Sequence, residues 1–274
     1  MVKIGFLGPR GTFSQEALEK YAENVEYTAL DYNTIPDLLS AVEIGELDEA
    51  VVPIENSLEG AVSATLDMLA MEVNLKIKSE VVITIKQNLL VKRGTEKTDI
   101  KYILSHPQPI GQCRKYINSN FPDADIKLVY STAGAAEEVA NSENGFAAIG
   151  SIIAAKVYGL DVLEYGIQDS DNNLTRFVVV SRQYAGKTGY DKSSIVFSTE
   201  DKPGSLYRIL DIFNLWDINM TRIESRPSKS QLGRYIFFVD ICGHIDDDDV
   251  RDAFTMIKRK ASFFKFLGSY PRFG

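Results

Sequence analysis

The stretch Asp171-Asn172-Asn173-Leu174-Thr175-Arg176-Phe177 passes from polar turn residues directly into the apolar run Phe177-Val178-Val179-Val180. Asn and Asp before β-branched residues are typical of a loop that enters a buried strand. Such a strand would hold a hydroxyl at Thr175, a planar carboxylate-binding fork at Arg176 and an apolar wall at Phe177. The stretch therefore suits a small, anionic, partly cyclic ligand. Alone, it also fits a strand start whose Arg pairs with a surface Asp.

The residues before this stretch alternate between strand and helix patterns. An apolar strand at residues 2–7 is followed by helical spacing of apolar side chains up to Tyr21, and the alternation continues to about residue 165. A long, extended stretch at 75–91 suggests a crossing from one lobe to another. The pattern predicts an α/β fold with parallel sheets, flanked by helices and arranged as two lobes around a cleft.

Composition excludes several classes of protein. The 274 residues carry a net charge of -8 without any Lys/Arg block, which argues against a nucleic-acid partner or an anionic membrane surface. No apolar run approaches membrane length, and the N-terminus reads as a first strand rather than a signal peptide. The two cysteines, Cys113 and Cys242, and the two histidines, His106 and His244, lack metal-ligand spacing. We expect no metal site, and a reducing cytoplasm fits.

Polar side chains follow the first and third predicted strands. In parallel α/β sheets ligands bind beyond the carboxyl ends of the strands. After the first strand, Thr12 or Ser14 can cap a helix whose amide end attracts anions. After the third strand, Asn56 and Ser57 either bond a ligand or cap the next helix.

A third polar strand exit, Ser105-His106-Pro107-Gln108-Pro109, lies in the second lobe. His106 is a candidate acid there, although a single histidine is more often structural. Together with Thr175-Arg176, four polar strand exits favour a binding site over chance.

The chain changes character after about residue 192. A strand at 194–198, a helix through Phe213, strands at 218–225 and 235–241, an acid-capped helix through Ile257 and a strand at 263–267 follow in order. The order β-α-β-β-α-β is that of a ferredoxin-like domain. The polar residues 187–192 are the expected linker.

Four motifs resemble those of the prephenate dehydratase family, and two in the tail resemble its ACT regulatory domain. The catalytic motifs are Gly8-Pro9-Arg10-Gly11-Thr12-Phe13-Ser14, Pro53-Ile54-Glu55-Asn56-Ser57-Leu58-Glu59-Gly60, Ser105-His106-Pro107-Gln108 and Thr175-Arg176-Phe177. The regulatory motifs are Lys202-Pro203-Gly204-Ser205-Leu206 and Asn219-Met220-Thr221-Arg222-Ile223-Glu224-Ser225-Arg226-Pro227. The resemblance implies a periplasmic-binding-protein-like catalytic domain over 1–184 and an ACT domain over 193–274. The expected lobes are 1–77 plus 162–184, and 78–161.

The resemblance implies a lyase that converts prephenate to phenylpyruvate with loss of water and carbon dioxide. No cofactor is implied, L-phenylalanine is the expected effector, and a homodimer or homotetramer is expected. Because the sequence begins at the first strand, we expect a monofunctional enzyme without the chorismate mutase segment of some relatives.

We expect Thr175 to hydrogen-bond or protonate the leaving oxygen and Arg176 to hold the pyruvyl carboxylate, because clamping the ring carboxylate would oppose decarboxylation. Phe177 is expected to line the ring pocket. The other predicted substrate-binding residues are Thr12, Ser14, Asn56, Ser57, His106, as reserve acid, and Gln108.

The predicted effector site lies between two ACT domains, with Asn219 and amides near Leu206 holding the charged ends of phenylalanine. Ser205 and Tyr207 stand where the family commonly has Ala and Val, which would alter effector affinity or selectivity. The remaining predicted effector residues are Gly204, Glu224, Ser225 and Arg226. An interaction domain that only dimerises is the alternative for the tail.

Two other functions remain open at this point. A non-catalytic amino-acid sensor would need the anion clamp but not Thr175 beside a leaving hydroxyl. Arogenate dehydratase would act on a substrate with an ammonium group, for which Glu55 is a possible partner.

Overall fold

The computed structural model describes residues 1–228 and 235–273. The predicted ACT domain at 193–274 therefore includes residues, 229–234 and Gly274, that lie outside the described part. Within that part, no helix has both the length and the apolar character that a membrane crossing requires.

The first sheet has six strands in the order β2-β1-β3-β11-β5, with β4 paired to β3. Its strands are β1 (Val2–Leu7), β2 (Tyr27–Tyr32), β3 (Glu49–Asn56), β4 (Gly60–Ala61), β5 (Lys76–Thr84) and β11 (Leu174–Ser181). The helices between them are α1 (Phe13–Tyr21), α2 (Ile35–Glu43) and α3 (Ser63–Asp67), which continues as a π-helix (Met68–Glu72). The apolar run at 177–180 is fully buried in β11, as its composition predicts.

The second sheet has five strands in the order β10-β6-β9-β7-β8. Its strands are β6 (Asn88–Val91), β7 (Tyr102–Ser105), β8 (Asp125–Leu128), β9 (Phe146–Gly150) and β10 (Asp161–Glu164). A 3-10 helix (Lys97–Asp99) and α4 (Pro107–Gln112), α5 (Arg114–Asn120), α6 (Thr132–Asn141) and α7 (Ile152–Tyr158) accompany them. Successive residues such as Leu89 and Leu90 belong to different core clusters, because alternate strand side chains point to opposite faces. The sheet is therefore buried on both sides.

The prediction of parallel sheets holds for only part of the second sheet. Strand β6 is antiparallel to both of its neighbours, β9 and β10, whereas β7 is parallel to β8 and β9. The chain enters β6 from β5 of the first sheet through a short extended segment, so no helical crossover within the second sheet precedes β6. Because parallel neighbours need such a crossover, nothing in this connection requires β6 to be parallel to its neighbours. The predicted helix through Ile110 and Ile117 is two short helices that meet at Cys113.

The third sheet confirms the predicted βαββαβ order. The elements are β12 (Asp191–Ser198), α8 (Ser205–Leu215), β13 (Met220–Pro227), β14 (Tyr235–Cys242), α9 (Asp248–Lys260) and β15 (Phe263–Pro271). The sheet order is β13-β14-β12-β15, and both helices bury their apolar side chains against one face. The three residues predicted for the buried side of α9, Val250, Phe254 and Ile257, all lie in this core.

The chain divides into two compact units. The first comprises Met1–Leu38, Val51–Gly60 and Val82–Phe177, and the second comprises Leu39–Ala50, Ala61–Val81 and Val178–Gly274. The second sheet lies in the first unit, and the third sheet lies in the second unit.

Candidate active site

The end of β3 and the start of β11 are joined by polar contacts. Ser57 N donates to the carbonyl of Leu174 at 2.9 Å, and the Ser57 hydroxyl donates to the carbonyl of Asn172 at 2.7 Å. The same hydroxyl accepts from Leu174 N at 2.9 Å. These bonds fix the loop after β3 against the entry to β11, so that Asn56 and Thr175 are held side by side.

Asn56 determines the direction of the hydrogen bond to Thr175. Its Oδ1 accepts from the backbone N–H groups of Leu58, at 2.9 Å, and Glu59, at 3.0 Å. Because backbone N–H groups only donate, the amide orientation is fixed by the network. Asn56 Nδ2 therefore faces Thr175 Oγ1, at 2.8 Å, and Asn173 Oδ1, at 2.7 Å. Thr175 accepts this bond on a lone pair, which leaves its own proton to be donated elsewhere.

Arg176 is buried and pairs with a carboxylate of β3. Its Nε lies 3.3 Å from Glu55 Oε1, and its Nη2 lies 3.4 Å from Glu55 Oε2. The side chain of Arg176 is 9% exposed, whereas that of Glu55 is 36% exposed. Phe177, the third residue of the motif, is only 2% exposed and packs in the core. A ligand carboxylate at Arg176 would thus meet an Arg–Glu pair.

The second-lobe motif begins α4. His106 is the N-cap residue, and its Nδ1 accepts from Gln108 N at 3.4 Å. Four residues beyond Gln108 on the same helix, Gln112 Oε1 accepts from Asn173 Nδ2 at 3.2 Å and from Gln87 Nε2 at 3.4 Å. Sequence reasoning missed Gln112 and Asn173. The i,i+4 spacing from Gln108 is the signal that indicates Gln112.

Thr12 and Ser14 belong to a different group of contacts at the start of α1. The hydroxyl of Thr12, the N-cap residue, donates to the carbonyl of Leu7 at 3.0 Å, and Ser14 is buried. The adjacent Gly11 has φ +88°, and its carbonyl accepts from the Ser151 hydroxyl at 2.7 Å. The hydrogen bonds of the described residues thus join Asn56, Ser57 and Thr175, while Thr12 bonds the end of β1.

A cavity of about 700 Å³ lies in the first unit. Its walls combine the apolar side chains of Ile152 and Tyr165 with Lys20, Lys86 and Glu16. Burial raises the pKa of Glu16, and the nearby Glu19 adds to the rise, against the opposing effect of two lysines. The volume is in the range of small-molecule sites, and the lysines suit an anionic ligand. Across the described residues, no group of three His, Cys, Asp or Glu side chains could hold a metal ion.

A smaller cavity of about 310 Å³ lies in the second unit beside α8. Its lining includes three predicted effector residues, Gly204, Ser205 and Leu206, together with Tyr207 and Tyr235. Gly204 has φ +77°, a conformation that glycine adopts without strain.

Another predicted effector residue, Arg226, makes contacts away from this cavity. Its Nε lies 3.1 Å from Asp67 Oδ1, and its Nη1 donates to the Ser63 hydroxyl at 2.6 Å. Asn219 Nδ2 lies 3.6 Å from Cys242 Sγ. Glu224 and Ser225 lie on β13 together with Arg226.

An α/β domain with polar side chains at its strand ends, followed in the chain by a βαββαβ domain with its own cavity, is the architecture of a ligand-binding domain joined to a second, separate small domain. The prephenate dehydratase family model matches residues 4–185, and the ACT domain model matches residues 193–255. The chain therefore belongs to the prephenate dehydratase family. This confirms the predicted lyase activity, in which prephenate is dehydrated and decarboxylated, and the predicted ACT regulatory domain.

Individual relatives resemble nearly the whole chain. The bifunctional chorismate mutase/prephenate dehydratase of Aquifex aeolicus is 41% identical over 99% of this chain and 74% of its own length. The prephenate dehydratase of Mycobacterium bovis is 39% identical over 99% of this chain and 87% of its own. The crystal structure of the Arthrobacter aurescens prephenate dehydratase in complex with L-Phe has a TM-score of 0.90 and 39% identity, over 99% of this chain and 90% of that one.

Proposed function

We propose that Thr175 donates the hydrogen bond that assists departure of the ring hydroxyl of prephenate. The observation that carries this role is the Asn56 Nδ2 to Thr175 Oγ1 bond of 2.8 Å, which directs the Thr175 proton away from Asn56. The leaving oxygen takes up one proton, supplied ultimately by solvent, and departs as water, the ring carboxylate departs as carbon dioxide, and the electron pair of the broken C–C bond completes the aromatic ring. A positioned donor at the leaving oxygen lowers the barrier because charge develops there in the transition state.

The remaining substrate-binding residues are also proposals. We infer that the Arg176–Glu55 pair contacts the pyruvyl carboxylate, together with Ser57 and the start of α1 at Thr12 and Ser14. The residual charge of the pair is small, so hydroxyls and amides must supply part of the binding. His106, Gln108 and Phe177 are proposed to complete the pocket. Arg176→Ala is expected to raise KM as well as lower kcat.

We propose prephenate rather than arogenate as the preferred substrate. Arogenate carries an ammonium group, for which Glu55 is the candidate partner. The pairing of Glu55 with Arg176 supports prephenate, because a carboxylate already neutralised by a guanidinium attracts an ammonium group weakly.

We propose a catalytic domain over 1–184, with lobes at 1–77 plus 162–184 and at 78–161, and an ACT domain over 193–274. The family matches at 4–185 and 193–255 support the two domains, and the separate first and second sheets support two lobes. Because β5 runs to Thr84 in the first sheet and β10 runs to Glu164 in the second, the proposed lobes are better divided at about 85–87 and 165–173 than at 77/78 and 161/162. L-phenylalanine is the proposed effector at the cavity beside α8, in a homodimer or homotetramer that acts in the cytoplasm. The phenylalanine complex of the Arthrobacter protein supports the effector assignment.

The test of this function is the absorbance of phenylpyruvate formed from prephenate by the purified protein, with and without phenylalanine. We expect turnover on prephenate that responds to phenylalanine, and little turnover on arogenate in a parallel assay. Turnover on arogenate alone would identify the sibling activity. Absence of turnover on both substrates would indicate a sensor.

Arg226 provides a separate prediction about regulation. Its guanidinium is held by Asp67 and Ser63 on α3, a helix that follows the Asn56–Gly60 loop closely in the chain. Arg226 would then transmit the effector signal to α3 rather than hold the effector. Arg226→Ala and Asp67→Asn should each reduce the effect of phenylalanine on turnover at least about tenfold, a coupling of ordinary size. Calorimetric binding of phenylalanine should stay nearly unchanged.

The matched control is Arg251→Ala. Arg251 also pairs with an aspartate, Asp248, but on the exposed surface of α9, where such a pair contributes little. This variant should keep normal regulation. If Arg226→Ala loses phenylalanine binding while Asp67→Asn is normal, Arg226 is an effector contact, as the sequence predicts.

A further inference from the structure

We propose that Asn173 is a positioning residue for the dehydration, acting on Thr175 through Asn56. This role rests on the proposed function of Thr175 as the donor to the leaving oxygen. Asn173 is 3% exposed and lies between two polar groups of the first unit, Asn56 at the end of β3 and Gln112 at the end of α4.

The bonds of Asn173 form the middle of a chain of side-chain amides. Gln112 Oε1 accepts from Asn173 Nδ2 at 3.2 Å, and Asn173 Oδ1 accepts from Asn56 Nδ2 at 2.7 Å. Asn56 Nδ2 then donates to Thr175 Oγ1 at 2.8 Å. The backbone of Asn173 is fixed as well, because its carbonyl accepts from Ile85 N at 2.8 Å.

The direction of each hydrogen bond in this series of side-chain amides follows from Asn56. Leu58 N and Glu59 N fix Asn56 Oδ1 as an acceptor, so Asn56 presents its two N–H groups to the other side. One N–H meets Asn173 Oδ1, which forces Asn173 to present its own N–H groups to Gln112. The other N–H meets Thr175 at 2.8 Å, and the carbonyl of Leu174 is a further, longer acceptor of Asn56 Nδ2 at 3.2 Å. If the Asn173 amide were reversed, Asn173 Nδ2 would lie opposite Asn56 Nδ2, and two donors would face each other. Asn173 must therefore keep this orientation.

The arrangement has a consequence for the reaction. The hydroxyl of Thr175 rotates freely unless a neighbour occupies one of its lone pairs, and the Asn56 amide does so. Asn173 holds that amide in place against Gln112. Because Asn173 is buried and both of its bonds are partly buried, water replaces these bonds less readily than it would at the surface.

Asn173→Asp tests the proposal through a pH signature. The new carboxylate still accepts from Asn56, but it faces Gln112 Oε1 without a donor and adds a charge beside Thr175. When protonated, the carboxyl group restores both bonds, donating to Gln112 and accepting from Asn56. Burial raises the pKa of such a group, so protonation is reached in mildly acidic solution. At pH 8 we expect kcat to fall about a hundredfold with KM little changed, and the deficit relative to the parent to shrink at least about tenfold by pH 5.5.

Asn172→Asp is the matched control. It adds the same charge one residue away, at an exposed position. The described hydrogen bonds of Asn172 involve its backbone carbonyl and N–H, so the side-chain change leaves them in place. This variant should keep parental kcat at both pH values. An Asn173→Asp variant with a pH-independent deficit, or one that behaves like Asn172→Asp, would overturn the proposal.

Circular dichroism melting of each variant separates loss of fold from loss of positioning. If Asn173→Asp does not fold at pH 8, Asn173→Ala carries the test, because it removes both bonds without burying a charge. A fall in its kcat of at least about tenfold at constant KM supports the proposal, and unchanged kcat refutes it. A parent protein that turns over neither prephenate nor arogenate would instead refute the proposed function. A Thr175→Val variant with parental kcat would refute the role of Thr175.

Discussion

Replacement of Thr175 by valine is expected to lower kcat for phenylpyruvate formation about a thousandfold, with a much smaller change in KM. Valine preserves the β-branched shape that suits β11, so the strand is retained. What is lost is the hydroxyl that accepts from Asn56 at 2.8 Å, and with it the hydrogen bond that we propose Thr175 donates to the leaving oxygen. Proton donation by a positioned side chain contributes about 10² to 10⁴ to a rate, which sets the size of the effect.

Thr175→Ser is the control for this prediction, because serine keeps the hydroxyl and loses only the methyl group. It should retain kcat within about tenfold of the parent. Steady-state kinetics at saturating prephenate distinguish the two variants. Equal kcat for the valine variant and the parent would show that another group assists the leaving hydroxyl, with His106 the first candidate.

The second large effect is expected at Gly268 in β15, where an alanine should destabilise the second unit by about 3 kcal/mol. A Cβ at this position would lie 2.2 Å from the carbonyl oxygen of Ile77 and 2.8 Å from its nitrogen. Gly268 also has φ +145°, which L side chains rarely adopt. Backbone strain of this kind and overpacking each cost about 1 to 3 kcal/mol.

Thermal unfolding followed by circular dichroism tests this expectation. For a protein of this size, a loss of about 3 kcal/mol lowers Tm by roughly 10 °C. Gly186→Ala is the control, because nothing lies within 4 Å of its Cβ position. Its free energy of unfolding should stay within about 0.5 kcal/mol of the parent. A Gly268→Ala variant with parental Tm would show that β15 and Ile77 can separate at little cost.

The surroundings of Gly268 explain why this close approach matters. Lys265 Nζ donates to the carbonyls of Val73, at 2.6 Å, and Ala70, at 3.2 Å, at the end of the π-helix. Lys76 Nζ donates to the carbonyl of Phe266 at 2.6 Å. Burial lowers the pKa of both lysines. Displacement of β15 would leave these partly buried ammonium groups without their carbonyl partners, so steric and electrostatic penalties act together.

Several features of the protein follow from its sequence alone. The βαββαβ order of the tail follows from apolar spacing, because that spacing decides which side of each helix and strand can be buried. The buried β11 follows from the run Phe177-Val178-Val179-Val180. The multi-residue motifs at three strand exits, together with Thr175-Arg176-Phe177 at the entry to β11, indicate the prephenate dehydratase family.

Only the tertiary structure shows how these residues are used. The direction of the Asn56 amide, the contact of Asn173 with Gln112 and the pairing of Arg176 with Glu55 join side chains that are distant in sequence. The same holds for the approach of Gly268 to Ile77 and the reversal of β6. Local periodicity reports which side of an element is buried, but it carries no information on which distant group lies opposite. Hydrogen-bond direction, charge pairing and backbone contact all depend on that opposing group, which is brought into place only when the chain folds.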